Sequence, residues 1–143
     1  MSFSADLSKF CKTEAPEKTN RIVRAVVIEI ANRVVLRSPV GDAQYWQSPA
    51  PAGYVGGRFR GNWQYGFGMP PGGTIERVDK SGRETLGALQ SALALGSLAG
   101  VHWIANNLPY AERIESGWSG QAPQGVVALT ELEFPQIVKR VIG

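Results

Sequence analysis

The sequence predicts an α+β fold: a small, mainly antiparallel sheet with a long N-terminal helix and further helices packed on it. Three observations predict it. Apolar residues recur every four positions through Ile22, Val26, Ile30 and Val34, and again through Val23, Val27, Ala31 and Val35. Trp63, Tyr65 and Phe67 alternate with smaller or polar residues, which is the spacing of a half-buried strand. Two Ser/Thr-x-x-Glu patterns, Ser81 to Glu84 and Thr130 to Glu133, mark the starts of further helices.

Length and composition suit one domain. The chain has 143 residues, 43% apolar and 19% charged, enough to build a core without a second domain. A single domain over 1–143 is expected, with a long loop at 38–61. The one cysteine, Cys11, rules out an internal disulfide framework and suits a reducing cytoplasm. Met1 to Lys12 has no apolar core of a secretory signal, and no apolar run of about 18 residues predicts a membrane span. A net charge of +3 permits contact with nucleic acid or an acidic protein face and demands neither.

Along the chain, Ser4 to Lys12 reads as a short helical turn or two. Thr13-Glu14-Ala15-Pro16 reads as a helix start, with a capping Thr and an early Pro. The long helix follows, and its many β-branched residues make it depend on packing. Ser38-Pro39 ends it. The loop at 38–61 carries Tyr45, Trp46, Tyr54 and Phe59, aromatics that suggest docking onto a partner. Asn62 to Phe67 and Thr74 to Asp79 are expected to form a hairpin around the Met69-Pro-Pro-Gly-Gly73 turn. The helix after Ser81 turns Leu86, Leu89, Leu93 and Ser97 inward, and Gly96 or Gly100 ends it. Val101 to Ala105 is a strand, Pro109 to Ser116 a short helix, Gly117 to Gly125 a loop and Val126 to Leu129 a further strand. The last helix opens at Thr130 and holds Ile137, Val138, Val141 and Ile142 inside. The expected order is helix, hairpin, helix, strand, helix, strand, helix.

Residues for chemistry are sparse. The only histidine, His102, falls in a strand with no nucleophile elbow beside it, and reads as structural. One Cys and one His far apart give no zinc spacing, so no metal or other cofactor is expected. Glu112 and Glu115 could share a helix face, but with Arg113 beside them they read as a solvated face rather than an acid–base pair. The glycine-rich run from Gly53 to Gly61 lacks the Gly-Lys-Ser/Thr ending of a phosphate loop. Arg58 and Arg60, set among Tyr54, Phe59 and Trp63, have two readings: contact with a nucleic-acid backbone, or an arm meeting acidic residues of a neighbouring subunit.

Three stretches together carry a family resemblance. The first is Ser38-Pro39-Val40-Gly41-Asp42 with Pro51 to Trp63. The second is Arg77-Val78-Asp79-Lys80-Ser81-Gly82. The third, and most specific, runs from Ile104 through Asn106-Asn107-Leu108-Pro109-Tyr110-Ala111-Glu112-Arg113-Ile114-Glu115-Ser116-Gly117-Trp118-Ser119 and on to Thr130. The combination resembles the tail-completion, or head–tail joining, proteins of long-tailed bacteriophages, over most of the chain from the long helix onward. Two departures stand out: an insertion from Gly41 to Val55, and His102 where relatives often carry an aromatic or other strand residue.

The resemblance implies a non-enzymatic structural protein of the virion neck, made in the host cytoplasm. It would complete the head-proximal end of the tail as a sixfold homo-oligomeric ring around the DNA channel. Its implied neighbours are the tail tube or tail terminator protein and the head-completion or adaptor proteins, with non-specific contact to genomic DNA and no membrane. A cyclic ring uses two different faces of each subunit. Tyr45, Trp46, Tyr54, Phe59, Tyr110 and Trp118 are the candidates for those contacts, with core packing the competing role for Tyr110 and Trp118. Arg58 and Arg60 are the candidates for the DNA channel or a subunit contact. The alternative function is a non-specific DNA-binding module.

Overall fold

The computed structural model describes residues 2–6, 16–41, 55–94, 99–117 and 119–143. In chain order these form strand β1 (Ser2–Asp6), helix α1 (Pro16–Arg37), the single turn α2 (Arg58–Gly61), strand β2 (Trp63–Phe67), helix α3 (Arg83–Ala94), strand β3 (Val101–Asn106), the short helix α4 (Ala111–Glu115) and helix α5 (Val127–Ile142). The architecture is α+β, with the expected antiparallel sheet.

Helix α1 runs for 22 residues, about 33 Å at 1.5 Å per residue. Its four-residue spacing does what the sequence predicts: Val23, Val26, Val27, Ile30, Ala31, Val34 and Val35 are all buried. This stripe packs against α5 and α3, while α3 packs on β2. Leu89 and Leu93 of α3, Ile104 of β3, and Ile137 and Val138 of α5 complete the central core. Ser38 stops α1, its hydroxyl turning back to the Val34 carbonyl at 2.6 Å.

The sheet has three strands in the order β1-β3-β2, antiparallel throughout. Ser2 to Asp6 is therefore a strand on β3, with Phe3 opposite Ile104, and not the start of a short helix. Its partner lies about a hundred residues away in sequence, so local patterning could not announce it. The rest of that expected element lies outside the described residues.

The expected hairpin is also absent among the described residues. β2 pairs with β3, and Thr74 to Asp79 forms no strand. The chain after β2 folds back too closely: a Cβ on Gly66 would lie 2.8 Å from the Pro71 ring. Side chains tie the returning segment instead. Asn62 Oδ1 accepts from the Ile75 amide at 2.9 Å, Gln64 donates to the Gly73 carbonyl, and Arg77 donates to the carbonyls of Gly61 and Trp63.

Helix α5 starts at Val127 with Val126 as its cap, so Val127 to Leu129 is helical and the expected strand over Val126 to Leu129 is absent. Thr130 does not open the helix; its hydroxyl donates to the Val126 carbonyl inside the first turn. Pro135 consequently sits within the helix, at an exposed position. Glu133 crosses to α1, where it pairs with Arg33 at 3.4 Å and with Arg37. Arg37 also donates to the Thr130 hydroxyl. These contacts set the start of α5 beside the end of α1, so the two helices run antiparallel. Among the described residues no helix is long and apolar enough to cross a membrane.

Candidate functional site

The glycine-rich run is not an open loop where it is described. Residues 58–61 form the turn α2, entered through Gly57 in a left-handed conformation (φ 88°). That conformation favours glycine, and so does the space, since a Cβ there would lie 2.8 Å from the Lys80 side chain. The Gly57 carbonyl accepts from the amides of both Gly61 and Asp79 at 3.0 Å.

Phe59 therefore points inward. It is fully buried, edge-on to Trp63 at 5.8 Å and tilted against Tyr110 at 6.5 Å. Phe59 and Tyr110 belong to the core: for Phe59 this corrects the expectation of a partner contact, and for Tyr110 it is the core role that competed with that contact. Trp63 donates its indole N–H to the Ser38 hydroxyl at 2.7 Å, tying the centre of this cluster to the end of α1. Tyr45, Trp46, Tyr54 and Trp118 lie outside the described residues.

Arg60 is committed within the chain. Its guanidinium donates to three carbonyls: Lys80 at 2.5 Å, and Leu36 and Ser38 at 2.9 Å each. Burial lowers its pKa, with Asp79 acting in the opposite sense. Arg58 is half-buried on the same turn, where its carbonyl accepts from Asn62 Nδ2.

Two carboxylates act as helix caps that sequence patterns did not identify. Asp79 is buried and accepts from the Gly82 amide, the Ser81 hydroxyl, and both the amide and hydroxyl of Thr85. Thus α3 takes its capping carboxylate from Asp79, ahead of the Ser81 to Glu84 pattern. Glu115 accepts from the amides of Val126, Val127 and Ala128 at 2.8–2.9 Å, satisfying the otherwise unpaired N–H groups at the start of α5. It is neither an acid–base partner of Glu112 nor part of a solvated face. Nothing local in the sequence marks this role, because the capped helix begins twelve residues on.

His102 is buried within the sheet, with Nδ1 hydrogen-bonded to the Tyr65 hydroxyl at 2.7 Å and Phe67 edge-on at 5.4 Å. Desolvation raises the Tyr65 pKa. Among the described residues no cluster of His, Cys, Asp and Glu could hold a metal ion.

The three stretches that carry the resemblance meet in one hydrogen-bonded shell. The first and second join through Gly57 with Asp79, Arg60 with Lys80, and Gly61 with Arg77. The first and third join where Asn106 donates to the Phe59 carbonyl at 2.8 Å. They join again where Gln121 Oε1 accepts from the amides of Val40 and Gly41 at 3.0 and 2.7 Å. Beside this shell a groove of about 250 Å³ opens between Leu36 and Arg37 at the end of α1, residues 121–125, and Leu129 of α5.

No family model, curated protein or solved structure matches the chain.

Proposed function

We propose that the chain is a non-enzymatic structural protein of the neck of a long-tailed bacteriophage. It completes the head-proximal end of the tail and makes it competent to join a DNA-filled head. In the proposed assembly it acts as a ring, with the tail tube or tail terminator protein on one side and head-completion or adaptor proteins on the other.

The observation that carries this reading is the shell formed by the three stretches. The segments that resemble the tail-completion proteins are separate in sequence, yet they are tied to one another through Arg60, Asn106, Gln121 and the Gly57 carbonyl. Their polar side chains are engaged mainly with backbone groups, which fixes the shape of a surface. A ring component needs such fixed surfaces, because each subunit must offer two different faces in a constant relation.

The test is genetic. An amber mutation in the gene, in the phage that carries it, should give DNA-filled heads and separate tails under a non-suppressing host. Purified protein added to that lysate should restore infectivity. Joined, infectious particles at normal yield without the protein would overturn the proposal.

A further inference from the structure

The sheet ends on β2, and part of its outer edge is open. The strand order is β1-β3-β2, so β2 has a strand on one side only. Gly68 donates to the Val101 carbonyl at 2.9 Å, and bonding alternates along an antiparallel pair. Gln64, opposite Ala105, and Gly66, opposite Trp103, therefore bond to β3. Trp63, Tyr65 and Phe67 turn their N–H and C=O groups to the outer side. Arg77 closes one end of that edge by donating to the Trp63 carbonyl. Among the described residues nothing bonds to the outward groups of Tyr65 and Phe67.

Edge strands are usually blunted by charges, proline or a bulge. Trp63 to Phe67 contains no charged residue and no proline. Its borders are uncharged as well. Gly68, Met69 and Pro70 follow it and are all exposed, Met69 to 76%. Helix α3, which packs on β2, shows Gly87, Ala88, Gln90, Ser91 and Ala94 to solvent, and all but Gln90 are small.

We propose that the open edge of β2 pairs antiparallel with β2 of a second copy, giving a twofold dimer with one continuous sheet. The edge is complementary to itself. Tyr65 of one copy stands opposite Phe67 of the other, and each such pair exchanges both of its N–H and C=O groups about a centre at Gly66. The pairing also sets two aromatic residues side by side across the junction. A register centred on Tyr65 would need the Trp63 carbonyl, which Arg77 already holds. A register centred on Phe67 would use one pair only. Paired strands lie about 4.8 Å apart, which brings the helices above them close, and the short side chains of α3 permit that approach. A twofold contact closes on itself, unlike the heterologous contacts of a ring. The dimer is therefore independent of the neck reading, and either can fail alone.

The experiment is sedimentation equilibrium of the full chain from micromolar to millimolar concentration, with amide hydrogen exchange followed by NMR on the same samples. The mass should rise towards twice that of the monomer. The Tyr65 and Phe67 amides should slow about tenfold or more as it rises. The Gln64 and Gly66 amides, already bonded to β3, should not change. Phe67→Pro removes an outward donor and none of the bonds to β3, a substitution that edge strands tolerate. It takes half of the bonds between the copies, so association should weaken about tenfold or more. Circular dichroism confirms that the variant is folded, and the wild-type exchange decides the matter if it is not. A chain that stays monomeric at millimolar concentration would overturn the proposal. If its Tyr65 and Phe67 amides are nonetheless protected at every dilution, another segment of the same chain covers the edge. A dimer in which these amides exchange as in the monomer, or one that Phe67→Pro leaves at full strength, would overturn it in favour of another surface.

Discussion

Asp79 Oδ2 accepts two hydrogen bonds from Thr85, one from its amide and one from its hydroxyl, each at 2.8 Å. With Oδ1 taken by the Gly82 amide and the Ser81 hydroxyl, this one carboxylate organises the entry to α3. Burial pushes the Asp79 pKa up, but the hydrogen bonds outweigh it and hold the group below its ordinary value. The folded-state pKa is therefore lower than the unfolded one. The stabilisation is fully present above about pH 4 and is lost as pH falls through the folded value. Asp79→Ala should cost about 2 kcal/mol at neutral pH, read from urea midpoints, since it removes the cap and strands the buried Thr85. The gap between variant and wild type should narrow as the pH is lowered below about 4.

Glu115 holds the start of α5 through three amides, and neighbouring Gly125 must be small and left-handed for it to do so. Gly125 has φ 83°, and a Cβ there would lie 2.5 Å from the Glu115 carbonyl oxygen. Glu115→Ala should destabilise by about 1–2 kcal/mol. Gly125→Ala should destabilise as well. The double variant should lose less than the sum, because both changes release the same helix start. Thermal or urea unfolding of the three variants measures this coupling, and strict additivity would contradict it.

These two carboxylates also show where the sequence was legible and where it was not. Helix α1, β2, β3, α3 and α4 could all be read, because period and composition report on a residue's own neighbours. The caps could not, because Glu115 serves a helix twelve residues on. The Ser/Thr-x-x-Glu patterns were real sequence signals, but Asp79 supplies the carboxylate at α3, and Glu133 is drawn to Arg33 and Arg37. β1 and the missing hairpin failed for the same reason, since strand pairing is decided by β3. At the site, glycine content suggested an open arm. Gly57 and Gly61 are instead places where another backbone comes close, which turns Phe59 into the core.

That distinction predicts opposite outcomes for two helical glycines. A Cβ on Gly61 would lie 2.8 Å from the carbonyl carbon of Arg77, a backbone atom that cannot swing aside. Gly87, on the exposed face of α3, has nothing within 4 Å. Gly61→Ala should destabilise by about 1–3 kcal/mol through overpacking. Gly87→Ala should stabilise by about 0.5–1 kcal/mol by lowering the entropy of the unfolded chain. Melting temperatures shifting in the same direction would refute the reading of Gly61 as a contact point.

Arg60 separates a structural arginine from a charge held for a partner. Its three carbonyl acceptors come from the end of α1 and from Lys80, so it joins two of the stretches in the shell. A guanidinium reaches three acceptors with a rigid fork, whereas a lysine ammonium is a single point on a flexible stem. Arg60→Lys keeps the charge and loses the fork. It should therefore lower stability by about 1–2 kcal/mol, and Arg60→Ala by somewhat more, as hydrogen bonds to charged groups are lost. If Arg60 served only as a cation for DNA or an acidic neighbour, Arg60→Lys would melt like wild type.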